Sequence, residues 1–125
     1  MSLWLPVVAY MAMLFGLSSL STVPSPPGEL TYYHVHFGAY AGLATITVRA
    51  LARGRLRNVT WRAVCGAILI SSLYGVTDEY HQLFVPGRSS DMLDMVADAL
   101  GSVVGAGAVG AWSIMRRRSR TRDAL

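Results

Sequence analysis

The chain contains no lysine: all 11 basic residues among its 125 are arginine. It has a single cysteine, Cys65, which excludes an internal disulfide. Lying inside an apolar run, Cys65 reads as a small packing residue. Charge is scarce too, at 14% of residues, where a soluble domain carries about 25%. The net charge of +4 does not point to nucleic acid, because the arginines fall in two clusters that flank apolar segments. No ligand signature of fixed spacing marks a metal site. No serine or cysteine stands in a recognisable nucleophile setting.

What is present is apolar sequence, 53% of the chain. Four stretches, at about 3–21, 33–52, 61–83 and 92–115, each approach the ~20 residues that span a bilayer core as a helix. They predict an all-α membrane protein with four transmembrane helices in one domain, residues 1–125, ending in a basic tail at 116–125. The first stretch lacks a charged n-region and is long for a signal-peptide core, so it reads as a retained helix. Thr22–Glu29, with three prolines and a glycine, reads as a loop. Arg49, Arg53, Arg55, Arg57 and Arg62 surround the second loop and five more arginines follow the fourth stretch, whereas loops 22–32 and 84–91 hold only Arg88. By the positive-inside rule both termini are cytoplasmic and Arg88 lies outside. The Asn58–Thr60 sequon then falls on the inner side, as a chance match. Gly38 with Gly42, and Gly101 with Gly105, form G-x-x-x-G pairs that suit close helix packing, within one chain or in an oligomer.

The informative stretch is Tyr74–Gly105, where Asp78, Glu79, Asp91, Asp94 and Asp98 share 21 residues with His81 and Arg88. On a helix, Asp91, Asp94 and Asp98 fall within about 60° of one another, and Asp78, His81 and Gln82 share a face from which Glu79 points about 100° away. His36 and Tyr40 are one turn apart on the second span. His34 lies about 200° from His36 and reads as interfacial. Asp91, after Pro-Gly-Arg-Ser-Ser, suits a helix N-cap, with Ser89 and Ser90 as competitors. Ionisable residues inside a span are expensive and mark a functional site by default. Five acids facing one outer cation must take up protons, pair with histidine or bind a cation. A divalent ion held by Asp91, Asp94 and Asp98, with His81 or His36 completing the site, is one solution.

Asp78, Glu79, His81, Gln82, Phe84, Pro86, Arg88, Asp94, Asp98 and Gly101 stand in the order and spacing of the second signature of the VanZ-like membrane proteins, which this segment closely resembles. The family's first signature is half present. His36, Phe37 and Tyr40 fit it, but Tyr32 and Tyr33 stand where an Asp-Lys pair is usual. The resemblance covers about residues 33–106 and implies a multi-pass protein of the bacterial cytoplasmic membrane. The family's named member is associated with resistance to the glycopeptide teicoplanin.

Two functions stay open. In one, an outward-facing pocket binds or modulates an envelope lipid, a glycopeptide or a peptidoglycan precursor, with Arg88, Gln82 and Tyr40 contacting the ligand. In the other, a membrane-embedded hydrolase or transferase acts on a lipid-linked substrate. Its catalytic candidates are His36, Asp78, Glu79, His81, Asp94 and Asp98, with His81 as a base oriented by Asp78.

Overall fold

Each of the last three helices starts at a local signal. The His34 ring accepts from the Thr31 amide at 3.0 Å, the Thr60 hydroxyl accepts from the Ala63 amide at 3.2 Å, and Asp91 Oδ1 accepts from the Leu93 amide at 2.8 Å. These caps satisfy amides that the first helical turn leaves free. The computed structural model describes residues 2–123, so Met1 and the last two residues of the expected tail lie outside the described residues. Among them it contains α1 (Leu5–Ser18), α2 (Tyr32–Leu51), α3 (Trp61–Gln82) and α4 (Met92–Arg122), with a short 3-10 turn at Leu56–Asn58 and no strand.

The all-helical reading is correct, and the structure refines its parts. Among the described residues α4 is the one helix long and apolar enough, by length and composition, to cross a membrane. α2 and α3 reach 20 and 22 residues but are interrupted by His34, His36 and Arg49 and by Arg62, Asp78, Glu79 and His81. α1 has only 14 residues. The wider segment 3–21 nevertheless runs the length of the bundle. Leu3 lies 3.3 Å from where a Cβ on Gly54 would stand, and the Ser21 carbonyl lies 3.1 Å from that of Gly87 at the other end. The arginine tail continues α4 as helix to Arg122. Cys65, expected to pack inside, is exposed on α3.

α2 sits at the centre, packed on α4, α3 and α1, with its closest approach to α4. Small residues set that approach. A Cβ on Gly101 would run into the Phe37 carbonyl, and one on Gly105 into the Ala41 carbonyl, one turn on. The α4 glycine pair is thus used within the chain. On α2, Gly42 lies under the Tyr10 ring and Gly38 faces open space. α3 presents the ladder Ala63, Ala67, Ser71, Gly75, all buried at a spacing of four. The loop between α3 and α4 turns at Gly87, whose φ of 79° is open to glycine at little cost.

The Ser113 hydroxyl donates to the Leu56 carbonyl at 2.8 Å, and Arg117 donates to the Val59 carbonyl. The end of α4 is thereby tied to the arginine-rich loop, and the acidic residues lie at the opposite end. In the arginine-rich half the core is apolar, built on Ala44, Val48, Val59, Ala67 and Ala106. Between α1 and α2 a second cluster joins Val7, Leu14, Tyr40 and Leu43. Toward the other end the interior turns polar: Ser71, Asp78, Glu79, Gln82, Asp94, Asp98 and Ser102 are all buried. The outer faces are correspondingly apolar, with Leu69 60% and Leu100 54% exposed.

Gly105→Ala should overpack the α2–α4 contact and lower stability by about 1–3 kcal/mol. Gly107→Ala, with nothing within 4 Å of the added carbon, should be neutral or stabilise α4 by up to ~1 kcal/mol. Thermal unfolding of the two variants beside the parent chain measures the contrast.

Candidate functional site

The close approach of α2 and α4 puts His36, one residue before Phe37, beside Asp98, three before Gly101. His36 Nδ1 and Asp98 Oδ1 share a hydrogen bond at 2.8 Å. On the other side of the ring, Nε2 stands 3.6 Å from Asp94 Oδ2. Glu79 Oε1 comes from α3 to 4.0 Å from Nδ1, while its Oε2 accepts from the Asp91 amide at 3.0 Å. Three helices therefore bring three carboxylates, those of Glu79, Asp94 and Asp98, around one imidazole. The Asp98 carboxylate fits because α3 has Gly75 there: an added Cβ would sit 2.7 Å from Asp98 Oδ2.

Burial is deep and hydrogen bonding incomplete. Asp98 is 0% and Glu79 1% exposed. Asp78 Oδ1, Glu79 Oε1, Asp94 Oδ1, Asp98 Oδ2 and the Tyr40 hydroxyl are buried without a hydrogen-bond partner among the described residues. Tyr40 lies one turn below His36 with its ring nearly parallel, 6.4 Å between centroids.

Two cavities open beside this group. The larger, about 780 Å³, is lined by His36, Gln82, Asp91 and Asp94 together with Arg88 and the loop between α1 and α2. The smaller, about 220 Å³, runs between α1 and α2 past Met13, Leu14 and Leu17 to Tyr40 and Asp78. His36, Gln82 and Arg88 line both. Among the described residues no carboxylate oxygen lies within 4.0 Å of the Arg88 guanidinium, since every close ion pair of the cluster involves His36.

The sequence candidates thus divide. His36, Glu79, Asp94 and Asp98 come together; Asp78 and Tyr40 are buried next to them; Gln82 and Arg88 form the cavity wall. Asp91 is the N-cap of α4 and accepts from the Tyr33 hydroxyl at 3.2 Å.

His81 does not join the acids. Its ring stacks on Phe15 of α1, 4.4 Å between centroids, and its Nε2 shares a hydrogen bond with the Ser19 hydroxyl at 3.0 Å. The ~60° between Asp78 and His81 on α3 is enough to turn one inward and the other toward α1. The expected metal set of Asp91, Asp94, Asp98 and His81 is accordingly not assembled; the residues whose ligand atoms converge are His36, Glu79 and Asp98. Measured from Asp78, Glu79 points about 100° off the face shared with His81 and Gln82. Reckoned from the ladder Ala63, Ala67, Ser71, Gly75, it is the next inward position, a signal present in the sequence.

The family model described as VanZ/LLP1 matches residues 31–114. The chain belongs to the VanZ family. That match takes in α2, α3 and most of α4, and with them every acid of the cluster, whereas α1 and most of the first loop lie outside it. No curated protein and no solved structure shows significant similarity to the chain.

The placement of His81 generates a test. Ser19→Ala and His81→Ala should each lower stability, and the two losses should couple by about 0.5–1 kcal/mol in a double-mutant cycle. Strictly additive melting shifts would place His81 elsewhere than against α1.

Proposed function

We propose that this VanZ-family chain crosses the bacterial cytoplasmic membrane four times, both termini inside, and binds the headgroup of an anionic envelope lipid in its outward-opening cavity. The observation that carries the reading is Arg88, a guanidinium without a carboxylate partner on the wall shared by a polar chamber and an apolar slot. A phosphate in the chamber meets the planar fork of Arg88, which suits two parallel hydrogen bonds. An acyl chain fits the slot along Met13, Leu14 and Leu17.

Support for the membrane placement comes from the surface. Apolar side chains face outward and polar ones inward, the reverse of a soluble domain. Exposed Trp4, Trp61 and Trp112 lie at the arginine-rich end and exposed Tyr32, Tyr33 and Tyr80 at the acidic end, as in the aromatic belts of membrane interfaces. From Met92 to Trp112 α4 rises about 30 Å, the thickness of a hydrocarbon core. α2 and α3, too polar to cross alone, turn their polar residues onto one another and onto α4.

A second reading, a hydrolase or transferase acting on a lipid-linked substrate, draws on His36, which sits between two carboxylates at the cavity wall and is placed for proton transfer. Turnover of a labelled envelope lipid by the purified protein, abolished by His36→Ala, is what that reading requires.

Two outcomes are expected. Reporter fusions should place the C-terminal tail in the cytoplasm and the 84–91 loop outside; the opposite result removes the outward-facing chamber. In detergent, the purified chain should bind labelled phosphatidylglycerol over phosphatidylcholine, and Arg88→Lys should weaken this about tenfold, the worth of one charge-assisted hydrogen bond. Equal binding of both lipids, or an unaffected Lys variant, rejects the role given to Arg88.

A further inference from the structure

We propose that His36, Glu79 and Asp98 form a binding site for one first-row divalent cation of the Zn²⁺ or Mn²⁺ type. One ligand atom from each residue lies within 4.8 Å of the others. They come from α2, α3 and α4, so the site closes only in the folded bundle. The donor set is one imidazole nitrogen with carboxylate oxygens and no thiolate, which suits a first-row divalent ion better than the all-oxygen ions Mg²⁺ and Ca²⁺ or the thiolate-preferring Cu⁺.

Two further observations point to a ligand. Glu79 Oε1 and Asp98 Oδ2 are buried oxygens without a hydrogen-bond partner among the described residues, in side chains that are 1% and 0% exposed. Such oxygens are costly to bury unless a proton or a cation meets them. The second observation is the orientation of His36. Asp94 Oδ2, 3.6 Å from Nε2, faces the ring nitrogen turned away from the other two ligands. A proton held on Nε2 toward Asp94 leaves the Nδ1 lone pair directed at Asp98 and Glu79. The order of carboxylate, histidine and converging ligands is that of carboxylate–histidine–metal sites, with Asp94 here at ion-pair distance and not in a hydrogen bond.

The geometry also explains how the chain tolerates its acids. The hydrogen bond at 2.8 Å between Nδ1 and Asp98 holds one proton, which an entering ion displaces to solvent, exchanging one positive charge for two. The ion lies behind His36 as seen from the larger cavity, because His36 lines that cavity and Glu79 and Asp98 do not. It therefore reduces the negative potential at the chamber wall without occupying the chamber. The site does not depend on the lipid reading, and its test uses the metal alone.

The purified full chain in detergent is stripped with chelator, then titrated with Zn²⁺ or Mn²⁺ while thermal unfolding and bound metal are followed. Wild type should bind one ion and melt at higher temperature. Glu79→Gln keeps an oxygen to accept from the Asp91 amide but loses the anionic ligand, and Asp98→Asn relieves repulsion in the same way. Both should fold at least as stably as wild type without metal and lose the metal-induced shift. Asp94→Asn should retain binding weakened by about 10–100-fold, as for an outer-shell partner, and Glu29→Gln, on the exposed first loop, should behave as wild type. If a variant fails to fold, electron-spin-echo spectroscopy of wild type with Mn²⁺ decides, since a directly bound imidazole nitrogen must couple to the ion. The proposal is overturned by absence of stoichiometric metal, by a shift that survives Glu79→Gln and Asp98→Asn, by stabilisation from Mg²⁺ or Ca²⁺ alone, or by Mn²⁺ without nitrogen coupling.

Discussion

The contact of α2 backbone with α4 glycines is the constraint on which the rest of the structure depends. Gly101 and Gly105 leave room for the Phe37 and Ala41 carbonyls where any side chain would collide. His36 and Asp98 sit one and three residues from that contact, so the distance between the helices is also the distance between imidazole and carboxylate. Gly75 repeats the arrangement on α3, where a missing side chain makes space for Asp98. Glycines in this bundle are placed opposite polar groups as well as backbone, and they bring α3 and α4 together around acids.

The inversion of polarity follows from the same packing. Alanine, serine and glycine fill the helix contacts, so the large apolar side chains are left to the outside. A core of this kind buries little hydrocarbon and draws on van der Waals contact between close backbones and on hydrogen bonds such as that of the Tyr74 hydroxyl to the Met11 carbonyl, at 2.6 Å. Tyr10 makes the matching bond to the Ala39 carbonyl at 2.9 Å. Two tyrosines thereby attach α1 to α2 and α3 without a large apolar interface.

Much of this was legible in the sequence, and the misses share a cause. Helix positions were readable because apolar runs and caps are local; the place after Pro-Gly-Arg-Ser-Ser suits Asp91 as a cap, and the structure chooses it over Ser89 and Ser90. The VanZ segment was readable because its polar residues are ordered and widely spaced. Which face turns inward was harder. Asp78 and Glu79 are neighbours in sequence and both are buried, because α3 turns Asp78 toward α1 and α2 and Glu79 toward the start of α4, leaving Tyr80 to face outward. His81 was misassigned because its fate depends on α1, about 60 residues earlier, whose Phe15 and Ser19 carry no motif that announces a histidine partner. α1 is shorter than its apolar segment for a related reason: apolar composition continues through Leu20, but the helix stops at Ser18 and Ser19 and Leu20 follow in a turn.

The cavity wall is made of two kinds of chain. Residues 31–114 belong to the matched family segment and contribute His36, Gln82, Arg88 and Asp94, whereas Ser21 to Leu30 lie outside it and close the cavity from the other side. A lineage that keeps the first group can therefore exchange the second without disturbing the imidazole and its carboxylates. Homologues with identical acidic residues then need not share the shape of the cavity's outer wall.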